Sequence, residues 1–115
     1  MDFDGSEKIE IREGSDNWGP FVFGLSGSIP SGDTIASVIV KAYAGTYKPA
    51  QAVGDQTEIP LIDDGFEPDI VDDTDISIRL KYPGDDYKGK TTIVFDVTLE
   101  GTGKYQFFCH RVKVV

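Results

Sequence analysis

The sequence predicts an all-β fold, a two-sheet antiparallel β-sandwich forming a single domain over residues 1–115, and three observations carry that prediction. Apolar residues recur with a period of two in several short stretches, the pattern of half-buried strands. Clusters of Gly, Pro, Asp and Asn punctuate these stretches and supply turns. No helical period of useful length runs anywhere in the chain. Short alternating strands joined by turns fit a sandwich, and the uneven loops favour it over a closed barrel.

The elements follow in order. Residues 1–6 read as a loose leader. In residues 7–12, Ile9 and Ile11 face in while Lys8, Glu10 and Arg12 face out. Residues 13–20 are dense in turn formers and contain Trp18. Phe21, Phe23 and Leu25 form the inner face of a second strand, and residues 27–33 turn again. Residues 34–44 form a long β-branched strand, with Val38 and Val40 on one face and Ile35, Ile39 and Tyr43 on the other. Apolar content on both faces suits a central strand or one covered by a loop. Residues 58–62 and 66–71 are short apolar patches separated by Asp63-Asp64-Gly65, a hairpin signal. Pro60 and Pro68 restrict both patches to edge strands or irregular segments. Ile76, Ile78, Leu80 and Tyr82 then alternate inward.

Residues 91–115 make the longest hairpin. Ile93, Phe95, Val97 and Leu99 face the core, Gly101-Thr102-Gly103 turns the chain, and Tyr105, Phe107 and Cys109 return on the same face. Val112 and Val114 have the opposite parity. The inner face therefore changes phase near His110–Arg111, as a β-bulge or a crossing between sheets would produce. The alternative is a second buried face of Phe108, His110, Val112 and Val114.

Composition narrows the function. The chain carries 11 basic and 20 acidic residues, a net charge of −9. Nine of the acids lie in residues 49–77, which contain no Lys or Arg, so the remainder is neutral. Such a surface repels phosphate backbones and anionic lipid, which argues against nucleic-acid and membrane partners. No apolar run approaches the ~18 residues that span a bilayer. The acidic start of the chain lacks the features of a secretory signal, which disfavours export. The one cysteine, Cys109, cannot close an internal disulfide and reads as a small buried hydrophobe.

Chemistry finds little to work with, and no enzyme activity is expected. His110 is the only histidine, and on a strand it points away from Cys109. Phosphate-binding glycine loops are absent. No cofactor is expected, and calcium is the one metal to weigh. Asp63, Asp64, Asp69, Asp72 and Asp73 could supply its oxygens, although their spacing departs from the usual calcium loop because Gly65 follows an adjacent pair. The larger weight falls on a solvated acidic connection. Trp18, Tyr47 and Tyr87 are the candidate aromatic contacts for a partner, against a plainer reading as core plug and loop packing.

Two resemblances bear on family. Gly103-x-Tyr105-x-Phe107, after a long alternating strand, is similar to the tyrosine corner of immunoglobulin-like folds, with Phe107 where those domains often carry cysteine. The chain also resembles the immunoglobulin-like modules of bacteriophage and prophage tail and baseplate proteins. That likeness covers about half the chain: Ile9 to Arg12, the Gly14–Asp16 turn, the Pro20–Leu25 strand, the Gly32-Asp33-Thr34 step and Ile35 to Tyr43. Thr34-Ile35-Ala36-Ser37 replaces the usual Leu-Thr-Gly-Ala step. The resemblance implies a non-catalytic structural or interaction module of a virion, in tail, baseplate or fibre. It would be assembled in bacterial cytoplasm and would meet protein partners or copies of itself. The alternative is a carbohydrate- or cell-surface-binding module at an extracellular surface, with Trp18, Tyr43, Tyr47 or Tyr87 stacking on sugar rings and calcium held by the acidic loop.

Overall fold

A computed structural model describes residues 9–14, 18–25, 27, 29–45, 58–62, 67–101, 103–110 and 112–115. The strands are β1 (Ile9–Ile11), β2 (Trp18–Gly24), β3 (Ile35–Ala44), β4 (Glu58–Ile59), β5 (Asp69–Val71), β6 (Asp75–Leu80), β7 (Gly89–Leu99), β8 (Gly103–Cys109) and β9 (Val112–Val114). A 3-10 turn, Asp85–Tyr87, precedes β7. One sheet runs β1-β9-β7-β3-β4, with β8 also paired to β7, and the other runs β2-β6-β5. The protein is therefore all-β and two-sheeted, as the alternation predicts.

The two sheets share one core. Phe23 from the smaller sheet meets Phe95 from the larger at a ring separation of 5.0 Å. Around this contact lie Ile76, Ile78 and Leu80 of β6 and Ile93, Val97 and Leu99 of β7, all buried. Ile11, Phe107, Cys109, Val112 and Val114 complete the larger sheet's contribution. Every one of these positions follows from period-two alternation, since one face of each strand must leave water.

The phase change near His110 is a β-bulge. Cys109 pairs with Ile93 and Lys113 with Lys90, so four steps along β8–β9 answer three along β7. The extra residue turns Val112 and Val114 back toward the core, where both are buried. Phe108 is buried too, but beside Val94 on the opposite face, and neither belongs to the main core.

Four expectations need correction. Ile35 does not share a face with Ile39 and Tyr43. The β3–β7 register slips between Ile35 and Ser37, and this bulge returns Ile35 to the core. The sheets are not wholly antiparallel, because β1 pairs with β9 in parallel, Ile9 opposite Val112 and Ile11 opposite Val114. No tight turn joins these sequence-distant strands, so nothing obliges them to run oppositely. The patches around Glu58 and Asp69 do not pair as a hairpin. β4 joins β3 and β5 joins β6, with Ile62 bridging to Leu80 as the chain passes between sheets. Asp63, Asp64 and Gly65, the expected turn, lie outside the described residues. Both short strands do lie at sheet edges, as their prolines require. Finally, Tyr105 is not at a corner between sheets. It sits within the β7–β8 hairpin opposite Val97, because the turn before it joins neighbours in one sheet.

Candidate functional site

The residues proposed to hold calcium are only partly brought together. Asp69 opens β5 and is exposed; Asp72 and Asp73 are exposed in the tight turn between β5 and β6. Asp63 and Asp64 lie outside the described residues. Among the described residues, no group of three or more His, Cys, Asp or Glu is placed to hold a metal ion. The Asp72–Asp73 turn has an architectural use. Both residues adopt the left-handed conformation, with φ of 52° and 66°, which Asp tolerates better than most residues. That geometry aims carbonyls across the molecule: Ile35 N–H donates to Asp73 O at 2.8 Å, and Leu25 N–H to Thr74 O at 3.1 Å.

The aromatic candidates divide similarly. Tyr47 lies outside the described residues. Trp18 begins β2, its backbone opposite Leu80, and its side chain is outside the description. The register then slips by one across Gly19 and Pro20, whose peptide is cis. Gly19 has φ of 125°, and a Cβ there would stand 2.9 Å from the Phe21 nitrogen, so only glycine fits. Tyr87 is half-buried and packs against the core in the turn before β7.

At the same end of the protein, the Tyr82 hydroxyl donates to the Asp85 carboxylate. That bond, with smaller effects of burial and of the charges on Asp85 and Glu13, pushes the Tyr82 phenol up to about 12. Removing its proton would set two negative charges side by side.

His110 is joined to a hydroxyl network that sequence reasoning missed. Thr92 donates its hydroxyl proton to Gly45 O at 2.7 Å, and His110 Nδ1 lies 3.1 Å from the Thr92 hydroxyl oxygen. With the Thr92 proton committed to a carbonyl, Nδ1 is the donor to Thr92. Thr92 is fully buried, so this pair is a clamp and not a nucleophile with its base. The neighbouring Thr91 likewise donates to Val112 O at 2.7 Å, tying β7 to β9 beyond the bulge. Cys109 is buried on the core face, away from His110, as alternation predicts.

The most site-like surface lies along β3. A cleft of about 480 Å³ is lined by Val38, Val40, Ala42, Ile59, Ile62 and Pro68, with Ile39, Lys41, Glu58 and Glu67 around it. It opens where the β3–β4 edge of one sheet faces β5 at the edge of the other. Val38 and Val40 are half-buried, whereas Ile39, on the outer face, is 59% exposed. In the sequence, the uncharged run from Ser37 to Val40 marks one wall of it, and nothing local marks the other.

No protein-family model, curated protein or solved structure matches this chain.

Proposed function

We propose that the protein is a non-catalytic interaction module built on an immunoglobulin-like β-sandwich, serving in the tail, baseplate or fibre of a phage or prophage particle. The strand order is the observation that carries the fold part of this reading. In immunoglobulin-like domains, strands B, E and D form one sheet and G, F, C and C′ the other. Here β2-β6-β5 and β9-β7-β3-β4 follow the same order, with β1 added in parallel beside β9. On this alignment β7 takes the place of strand F. Tyr87, packed on the core just before it, then stands near the corner expected of Tyr105.

The role as a module rests on what the surface offers. The cleft beside β3 is apolar and strand-lined, and the Thr92–His110 pair is engaged in holding the fold. The virion setting rests on the sequence resemblance to tail and baseplate modules. The module would assemble in bacterial cytoplasm and then remain in the particle, making protein contacts.

Density-gradient fractionation of particles from the source culture, followed by mass spectrometry, tests this. The expected result is co-migration of the chain with virions. Absence from particles, combined with calcium-dependent binding on a glycan array, would replace it with a carbohydrate-binding role.

A further inference from the structure

We propose that the open edge of β3 binds an extended peptide of alternating apolar and basic residues as an added strand. This inference rests on the interaction-module reading and names the partner's chemistry. β7 pairs with β3 from Ile35 to Ala44 on one side. On the other side, β4 pairs only with Ala42 and Tyr43 among the described strands. Among the described residues, no strand covers the backbone edge from Ala36 to Lys41, which can take up a ladder. Main-chain donors and acceptors on such an edge need water or another strand.

The centre of the edge also lacks the usual protection. Natural sheets blunt their edges with charges, prolines or central bulges. From Ser37 to Val40 there is no charge and no proline, and the bulge lies at the end near Ala36. An added strand would send alternate side chains into the cleft against Val38, Val40, Ile62 and Pro68, and the others to the outer face beside Ile39.

Charge selects the occupant. Glu58 and Glu67 stand exposed at the cleft, where Lys41 is the one base among the described lining residues; Arg79 lines the adjoining hollow on the other side of Glu67 and Pro68. The wall facing β3, formed by Glu58, Ile59, Ile62, Glu67 and Pro68, belongs to the stretch 49–77, whose sequence holds nine acids and no base. Lysine or arginine at alternate positions of a bound strand would complement this field. A second copy, bringing another −9, would be repelled.

The test uses a short capped peptide of alternating lysine and valine, with a glutamate–valine peptide as its counterpart. Binding is read by fluorescence anisotropy, and its location by amide hydrogen exchange of the full chain. The lysine peptide is expected to bind, to slow exchange between Ala36 and Lys41, and to weaken as salt rises. The double variant Glu58→Lys with Glu67→Lys, two exposed sites that should leave the melting temperature near that of the parent, is expected to bind it about tenfold less tightly. Equal binding of both peptides, or protection appearing elsewhere, would overturn the proposal. So would β3 protection in the chain alone that grows with concentration alongside the sedimentation coefficient, which would assign the edge to a second copy. Particle fractionation reads the module role independently, so a failed edge and a failed module are told apart.

Discussion

Asp33 joins two loops through a single oxygen. Its Oδ1 accepts the Thr34 N–H at 2.9 Å and the Gly101 N–H at 3.0 Å, 68 residues away in sequence. Close approach of Gly101 is a condition of the second bond, since a Cβ there would lie 3.3 Å from the carboxylate oxygens. Asp33→Ala is expected to lower stability by about 1–2 kcal/mol in urea unfolding, with an unchanged dependence on denaturant, because bonds to a charged acceptor are stronger than neutral ones. Thr92 is a second such point. Thr92→Val keeps the shape but strips Gly45 O and His110 Nδ1 of their shared hydroxyl, at an expected cost of about 1–3 kcal/mol by the same measurement. Tyr82 makes a prediction about pH. Its phenol is harder to ionise in the folded state than in the unfolded chain. The stability it contributes is therefore complete below pH 10.0 and is lost as pH climbs toward about 12. Ultraviolet titration should show the Tyr82 phenol ionising late and moving back toward the ordinary value in Asp85→Asn.

Single strands were legible from the sequence, while the relations between strands were less so. Ile76, Ile78 and Leu80, or Ile93, Phe95 and Val97, declare their inner face by parity alone, and each is buried. The phase change at His110 could also be read, because Val112 and Val114 broke the parity of Tyr105, Phe107 and Cys109. Ile35 could not. One slipped residue before Ser37 reverses its face, and no local feature of a β-branched run announces that slip. The partners of β4 and β5 were equally hidden, since pairing depends on contacts distant in sequence. The β3 cleft is of this kind: its walls come from strands whose partners lie far along the chain. Asp72 and Asp73 carry a role that their charge does not announce: they shape a turn whose backbone serves Ile35 and Leu25. Asp73→Val, a β-branched residue forced to φ of 66°, should cost about 1–2 kcal/mol in thermal or urea unfolding, while Asp73→Gly should be tolerated.

For the molecule as a whole, stability rests on one core held without a disulfide. Phe95 stands at its centre, wholly buried, its ring tilted against that of Phe23 across the two sheets. Truncating such a ring typically costs about 3–5 kcal/mol, against a total of about 5–15 kcal/mol for a domain. Phe95→Ala is accordingly expected to leave a large unfolded fraction at physiological temperature, visible as loss of near-ultraviolet circular dichroism. The parallel pairing of β1 with β9 has a mechanical consequence. Tension applied between the chain before β1 and the chain after β9 draws these neighbours past each other along their common axis. The bonds linking Ile9–Val112 through Ile11–Val114 then bear load together, whereas a hairpin pulled open surrenders its bonds one at a time. Drawn in that direction, the protein should yield in one abrupt step at higher force than when it is pulled across the β7–β8 hairpin, a contrast that single-molecule stretching measures directly.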